Sequence, residues 1–271
     1  MKFLCIKRYN LVFTRSILLV TLLFTFRGCE DSTEIKKHNW QLVWQDEFNV
    51  DGATDSTKWT YDLGAGGWGN NELQTYTNDA ENVIVEDGNL LITARKNPYT
   101  SARIKTKGIF SQGYGRFEAR IKLPWGPGIW PAFWLLGSNI DMVEWPQCGE
   151  IDIMEYRGQQ PNIIHGSVHG PGYSGGDAIT KSYGYENNRF DIDFHVFAVE
   201  WGTDYIYYYV DDVLYQVIQP KDLTGDWVFD HPFFILLNVA VGGDYVGFPT
   251  DDTPFPQTMY VDYVMVYQAA E

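Results

Sequence analysis

Apolar residues recur at every second position through much of this chain, which is the spacing of half-buried β-strands. Over residues 115–123 the odd positions from Phe117 onward are apolar and the even positions are charged. Two pairs of apolar runs flank short acidic turns and predict hairpins over 83–94 and 205–218. The nearly continuous apolar run 233–241 predicts a buried strand, and 259–267 predicts a closing strand.

No internal repeat, coiled-coil heptad or long amphipathic helical pattern interrupts these strands. Many short strands separated by turn signals indicate an all-β sandwich or barrel. We favour a sandwich, because long loops over 62–80 and 170–190 are available to cover the sheet edges. The folded domain is predicted to span residues 40–268.

The N-terminus carries the pattern of an export signal over residues 1–28, in which a basic stretch precedes the apolar run 17–24. That run is too short for a comfortable membrane span. A small residue then precedes Cys29, which resembles a bacterial lipoprotein signal with Cys29 as the lipidated residue. Ordinary cleavage and retention as an anchor are the alternatives. Residues 29–39 are predicted to form a polar linker. From the signal pattern, the chain is expected to be an outer-membrane lipoprotein or an extracellular protein.

The net charge of the chain limits the kinds of molecule that it is expected to bind. The 271 residues carry 20 basic and 35 acidic side chains, a formal charge of −15. Five basic and no acidic residues fall in the first 28, so the remainder holds 15 basic against 35 acidic residues, a charge of −20. An acidic body disfavours nucleic acid and anionic membrane surfaces and suits a neutral partner. The ten tryptophans fit both β-sheet preference and the binding of sugar rings by exposed indoles.

Three carboxylates stand among apolar β-formers in the run 149–155, which reads Gly-Glu-Ile-Asp-Ile-Met-Glu. A regular strand places Glu150 and Asp152 on one face and Glu155 on the other. A one-residue β-bulge at Met154 would return Glu155 to the face of the other two acids. Three carboxylates close together along one strand face repel one another, so at least one should keep its proton near neutral pH. A protonated acid beside an ionised carboxylate is the arrangement of acid–nucleophile catalysis.

Aromatic and histidine side chains flank this acid run. Trp130 and Trp134 share a face of a predicted strand, roughly 13 Å apart along it. Such a pair is either core packing or a platform for sugars, and the adjoining prolines, glycines and acids favour the second interpretation. His165 and His169 follow on a short strand, where a histidine is either structural or, for His169, a partner of the acids. Cys148 is predicted to be a buried core residue rather than a nucleophile.

The run 149–155, with its extra methionine, resembles the signature of family 16 glycoside hydrolases in the laminarinase (endo-β-1,3-glucanase) branch. Further matches are the segments 71–74, 130–134, 255–257 and 261–264, and the resemblance covers residues 42–268. It implies a jelly-roll β-sandwich of two antiparallel sheets with a concave substrate cleft, and cleavage of internal β-linkages with retention. Relatives that cut mixed-linkage glucan usually lack the inserted methionine and read Glu-x-Asp-x-Glu.

The resemblance implies that Glu150 is the nucleophile, that Glu155 is the acid/base, and that Asp152 between them shares a proton or hydrogen bond. It also implies a set of substrate-binding residues: Trp130, Trp134, Asn71, Arg95, His169 and Trp145. Catalysis would need no cofactor. Many relatives bind a structural calcium, whose matching ligands here would be Glu47, the Gly88 carbonyl and Asp262. Oxygen ligands of this kind suit Ca²⁺, and the alternative is a solvated turn with a surface acid.

The function that the sequence favours is hydrolysis of internal β-1,3 linkages in a neutral, laminarin-type glucan by a retaining endo-glucanase, expected to act as a monomer. One alternative is the same chemistry on mixed-linkage β-1,3-1,4-glucan or another polysaccharide. The other is a non-catalytic β-glucan-binding module. Such modules typically lose the glutamates, and both are present here.

Overall fold

The computed structural model describes residues 35–270, and its regular elements are almost entirely β-strands. The strands are β1 (Trp40–Asp46), β2 (Thr60–Asp62), β3 (Thr75–Tyr76), β4 (Val83–Glu86), β5 (Asn89–Ala94), β6 (Thr100–Ser101), β7 (Arg103–Lys105), β8 (Gly115–Lys122), β9 (Ile129–Gly137), β10 (Glu150–Tyr156), β11 (Ile163–His169), β12 (Ile179–Gly184), β13 (His195–Trp201), β14 (Ile206–Val210), β15 (Val213–Ile218), β16 (Phe233–Val241) and β17 (Gln257–Ala269). Single turns of 3-10 helix cover Gly67–Gly69, Gly175–Asp177 and Pro220–Asp222.

Two antiparallel sheets pack face to face as a jelly-roll sandwich. The first, here called the outer sheet, has the strand order β15-β14-β13-β8-β17-β5-β4, with β1 also paired to β17. The second, here called the cleft sheet, has the order β12-β11-β10-β9-β16-β7-β2. Strands β3 and β6 form a separate short parallel pair. The predicted all-β sandwich is therefore confirmed.

The core lies between the two sheets, and the alternating pattern decides which side chains enter it. On β8 the predicted apolar face is buried, with Phe117, Ala119 and Ile121 at 0% exposure. Strand β16 is buried at all nine positions. Its nearly continuous apolar run follows from burial on both faces of the strand. One face packs in the core, and the other contributes Asn238 and Ala240 to the floor of a cleft.

Both predicted hairpins are confirmed, as β4–β5 and β14–β15. The prediction of a covering loop over 170–190 is wrong in part, because residues Ile179–Gly184 form β12, the edge strand of the cleft sheet. Three consecutive residues of β12, Thr180–Ser182, are polar and exposed. A solvated edge strand of this kind carries little hydrophobic alternation, so the pattern did not reveal it.

The predicted signal segment 1–28 and Cys29 lie outside the described residues, as does most of the linker 29–39. Within residues 35–270, no helix has the length and apolar character needed to cross a membrane.

Candidate active site

Strand β10 carries the acid run and contains the predicted bulge. Asp152 pairs with Ser167 on β11 and Glu155 pairs with His165, so three residue steps on β10 face two on its partner. The same mismatch occurs against β9, where the register shifts between Asp152 and Met154. Met154 is fully buried in the core. The bulge therefore absorbs one residue into the core and returns Glu155 to the cleft face, as the sequence predicted.

Gly149 leads into β10 in a conformation that requires glycine. Its φ is +72°, and a Cβ at this position would lie 2.8 Å from Cζ of Phe233. A side chain here would be strained by the backbone and would collide with the core aromatic ring. Gly149 thus allows β10 to begin directly at Glu150.

A cleft of about 760 Å³ lies over the middle of the cleft sheet. Its floor and walls come from six neighbouring strands and from the loops around Trp68, Trp145, Gly175 and Tyr245. All three carboxyls line it, together with Trp130 and Trp134 on one face of β9, as the alternation predicted. A smaller cavity of about 360 Å³ beside β1 is lined by Asp46, Glu47, Asp55 and Lys58 and contains none of the clustered acids.

Indole N–H groups hold the two outer carboxyls of the cluster. Trp145 Nε1 donates to Glu150 Oε2 at 3.0 Å, and Trp130 Nε1 donates to Glu155 Oε1 at 3.1 Å. The hydroxyl of Ser167 donates to Glu155 Oε2 at 3.4 Å. Each outer glutamate therefore has a donor that favours its ionised form.

Burial raises the pKa of all three acids to about 8. For Glu150 and Glu155 the negative charge of Asp152 adds to this effect, whereas the hydrogen bonds from Trp130 and Ser167 oppose it at Glu155. For Asp152 a hydrogen bond shared with the Glu150 carboxyl acts in the opposite direction to burial. The three groups cannot all be ionised at neutral pH, so the cluster holds at least one proton that it can donate.

His169 lies beside the acids, with Nε2 at 3.0 Å from Asp152 Oδ2 and 3.8 Å from Glu150 Oε1. The main-chain N–H of Gly175 donates to Nδ1 of the same ring at 3.1 Å. Because Nδ1 accepts a hydrogen bond, the proton of the neutral imidazole lies on Nε2 and faces the carboxyls.

The donor atoms of Glu150, Asp152 and His169 lie within 4.8 Å of one another, which is close enough to consider a metal ion. The chemistry of the set does not fit one. A metal bound to Nε2 requires the imidazole proton on Nδ1, where the Gly175 N–H already points. The cluster is therefore suited to holding and moving protons.

Arg103, on β7, is a cleft residue that the sequence interpretation missed. Its guanidinium carbon lies 4.6 Å from the centre of the Trp134 ring and 5.2 Å from that of Trp68. The Trp134 N–H donates to Asn238 at 2.8 Å, which fixes the ring plane. Arg103 stands on a three-residue strand without a distinctive motif, so no local signal identified it.

Arg95 was the arginine predicted to bind substrate, and the structure does not bring it to the cleft. It directly follows β5 in the outer sheet, and its Nε donates to the Glu81 carbonyl at 2.9 Å. Asn71 lies at the rim, where its amide donates to both carboxylate oxygens of Asp244, at 2.9 and 3.1 Å. Asp244, rather than Asn71, lines the cleft.

Tyr245 and Arg157 form the wall beside Glu155 and were also not predicted. The ring centre of Tyr245 lies 4.9 Å from the ring centre of Trp130. The guanidinium carbon of Arg157 lies 4.2 Å from the ring centre of Tyr245. Tyr245 belongs to the loop after β16, so only the tertiary structure brings it to the acids. The predicted core residue Cys148 is fully buried, as expected.

Two of the three positions expected to bind calcium have other polar partners in the structure. Asp262 Oδ2 lies 2.6 Å from Arg120 Nη1, and Glu47 Oε2 accepts a hydrogen bond from Asn49. The guanidinium already supplies the positive charge that Ca²⁺ would bring to Asp262. Calcium at these positions stays a prediction.

Comparison with known proteins adds to this geometry. The model of the family described as "Glycosyl hydrolases family 16" matches residues 70–264. A beta-glucanase of Rhodothermus marinus is 43% identical over 251 residues, covering 87% of this chain and 88% of that protein. An endo-1,3-1,4-beta-glycanase of Rhizobium meliloti is 33% identical, covering 83% of this chain and 51% of that protein.

Among solved structures, the laminarinase catalytic domain from Thermotoga maritima superposes with a TM-score of 0.83 at 49% sequence identity. The match covers 86% of this chain and all of that domain. The family match over residues 70–264 includes every strand that lines the cleft.

Proposed function

This chain belongs to family 16 of the glycosyl hydrolases, and from that premise we propose that it is an endo-1,3-β-glucanase that cuts internal linkages of laminarin-type glucans by double displacement. The observation that carries the proposal is the bulge in β10, which aligns Glu150, Asp152 and Glu155 along one cleft. Glycosidases of this family need no cofactor for catalysis. The residue roles proposed here follow from the contacts of the three acids.

In the first step the Glu150 carboxylate attacks the anomeric carbon, and the bond to the glycosidic oxygen breaks. The proton of Glu155 passes to that oxygen, which leaves as the hydroxyl of the released chain. In the second step ionised Glu155 removes a proton from water, and the resulting hydroxide displaces Glu150 from the anomeric carbon. Glu150 is again ionised and Glu155 is again protonated, so the cycle balances and the β configuration is retained.

Asp152 and His169 support both steps without touching the bond that breaks. The charge of Asp152 raises the pKa of Glu155 and helps it to keep the proton that the first step uses. The N–H of His169 faces Asp152 and Glu150 and offsets part of their repulsion. The cluster therefore separates an ionised nucleophile from a protonated acid within one small volume.

The length of the cleft supports endo action. Its lining runs from Arg103 on β7 to Thr180 on β12, which are separated by five strand spacings. At about 4.8 Å per spacing this is roughly 24 Å, enough for several sugar units. Uncharged glucan also suits the cleft, since an anionic polymer would meet the three acids and Asp244.

A substrate panel with the full chain tests the assignment. We expect reducing sugar from laminarin, with smaller rates on lichenan and none on carboxymethyl-cellulose. An equal or higher rate on lichenan would favour the second candidate, a mixed-linkage glucanase, to which the similarity to the Rhizobium glycanase also points. Binding of laminarin without release of sugar would favour the glucan-binding alternative.

Export is the second part of the proposal and depends on the sequence pattern of residues 1–28 together with Cys29. We propose that the domain reaches an outer-membrane or extracellular location through a lipid on Cys29. Expression in a bacterium fed labelled palmitate should label the chain, and Cys29→Ser should not be labelled. Equal labelling of the two proteins would contradict lipidation at Cys29.

A further inference from the structure

Each outer glutamate of the acid cluster accepts a hydrogen bond from the indole of a different tryptophan, and the two indoles reach the cluster from different elements. We propose that Trp145 is a positioning residue that holds one oxygen of Glu150 and keeps this nucleophile ionised and aligned, beyond any contact it makes with sugar. The inference deepens the proposed function and rests on it for the role of Glu150.

The geometry separates the two oxygens of Glu150. Oε2 accepts the Trp145 N–H at 3.0 Å, whereas Oε1 lies toward His169, 3.8 Å from its Nε2. The terminal torsion of a glutamate is soft and has no sharp preferred value. A fixed donor on Oε2 therefore sets the carboxylate plane and leaves Oε1 as the oxygen that faces the sugar.

The donor also acts on the proton balance of the cluster. Burial and the charge of Asp152 both favour protonation of Glu150. A hydrogen bond from the indole N–H opposes this, because it stabilises the charged carboxylate more strongly than the carbonyl oxygen of the neutral acid. Without it, Glu150 and Asp152 are left to share a proton, and the nucleophile is lost for the fraction of time that the proton resides on Glu150.

Trp145 is placed to be a specific donor. It belongs to the loop between β9 and β10, and 43% of its surface is exposed, so its ring is not required to fill the core. Its ring centre lies 5.8 Å from that of His169, which limits its movement on one side. Replacing it should therefore change the cluster more than the fold.

Trp130 makes the equivalent contact with the other glutamate, since its N–H donates to the proposed acid/base Glu155. Loss of this donor should raise the pKa of Glu155 and move the basic limb of the pH profile. Trp134 provides the matched control, because its N–H donates to Asn238 and to none of the three acids. The three indoles in one cleft thus separate the effect of a hydrogen bond from that of an aromatic ring.

The experiment compares Trp145→Phe, Trp130→Phe and Trp134→Phe by substrate-free titration of ¹³C-labelled glutamate carboxyls, with Glu150→Gln used to assign the Glu150 signal. In Trp145→Phe the Glu150 midpoint should rise by about one pH unit, because a hydrogen bond to a charged group is worth about that much. On laminarin the acidic limb of kcat/KM should move upward equally, with a roughly tenfold loss at pH 6. Trp130→Phe should move only the basic limb, and Trp134→Phe should move neither.

A further variant, Trp145→Gln, keeps an N–H donor and removes the ring, so it should retain the Glu150 midpoint while KM rises. An unchanged Glu150 midpoint in Trp145→Phe, or an equal shift in Trp134→Phe, would overturn the proposal. The titration needs no substrate. A wild-type chain that cuts no β-glucan would therefore refute the proposed function, while the Glu150 midpoint would still decide whether Trp145 acts on this carboxyl.

Discussion

Asp152 and His169 face each other from adjacent strands, with Asp152 Oδ2 3.0 Å from His169 Nε2. That oxygen is buried and accepts no hydrogen bond of good geometry from the described residues. The ring proton lies on Nε2, the nitrogen on the Asp152 side, because the Gly175 N–H donates to the other ring nitrogen. This contact places the middle acid of the cluster between a neutral donor and the two glutamates, where its charge acts on both.

Removal of Glu150, the proposed nucleophile, should abolish turnover and leave the fold intact. Glu150→Ser deletes the attacking carboxylate, so laminarin hydrolysis should fall below about 10⁻⁴ of the wild-type rate. Its melting temperature should not decrease, because a carboxyl whose pKa is raised by burial is removed. Reducing-sugar assays and calorimetry check the two parts, and a rate near that of wild type would exclude Glu150 as the nucleophile.

The first product should retain the β configuration. Two successive displacements at the anomeric carbon each invert it, so the net result is retention. Proton NMR of a laminarin digest, recorded before mutarotation, should show the β-anomeric signal first. An initial α signal would point to a single displacement by water.

The bulge predicts that the number of residues between Asp152 and Glu155 decides which face of β10 carries Glu155. Deleting Met154 leaves Glu-x-Asp-x-Glu, whose regular alternation keeps all three acids on the cleft face. This variant should keep measurable activity but lose roughly 2–5 kcal/mol of stability, as expected when a buried methionine is removed.

Met154→Ala is the matched control, because it removes the same buried side chain while the residue count and the bulge stay. Both variants should remain active with a similar loss of stability. Laminarin assays on both variants, with circular dichroism to confirm folding, measure the contrast. Loss of activity in a folded deletion variant but not in Met154→Ala would show that regular spacing does not keep Glu155 on the cleft face.

The acid cluster should make stability depend on pH in a defined direction. The pKa of Glu155 is raised from its ordinary 4.5 to about 8. A carboxyl with a raised pKa contributes its full stability below the unfolded value, and this contribution is lost as the pH rises through the folded value. Glu155→Gln stays neutral, so its melting temperature relative to wild type should be several degrees higher at pH 9 than at pH 4, at about 2–4 °C per kcal/mol. A constant difference across this range would contradict the raised pKa.

Arg103, and not Arg95, should govern affinity for the glucan. Arg103→Ala removes the guanidinium between Trp68 and Trp134, and KM for laminarin should rise about tenfold with a smaller change in kcat. Arg95→Ala should alter KM by less than about twofold, since its side chain contacts Glu81, in the turn before β4, and does not line the cleft.

Arg103→Lys keeps the charge without the planar group and separates stacking from electrostatics. Because Arg103 also pairs with Asp62 at 3.2 Å, the melting temperature of each variant must be measured beside the kinetics. A larger effect from Arg95→Ala than from Arg103→Ala would reverse the assignment.

The sequence by itself determined the features that depend on neighbours along the chain. Strand alternation on β8 and β9, the hairpins and the acid run with its extra methionine all follow from side-chain period and turn chemistry, which act over a few residues. The same local rules gave the shared face of Trp130 and Trp134.

Only the tertiary structure decided which distant residues meet. Arg103 reaches the cleft because the strand order places β7 beside β16, and Asp244 and Tyr245 reach it because the loop after β16 lies beside β9. Arg95 lies away from the cleft because β5 belongs to the other sheet. The raised pKa values of the acids and the proton on Nε2 of His169 likewise depend on burial and on Gly175. The local sequence pattern determines which face of a strand each side chain takes. The order of strands in the sheets and the desolvation of the acids depend on the packing of the whole sandwich.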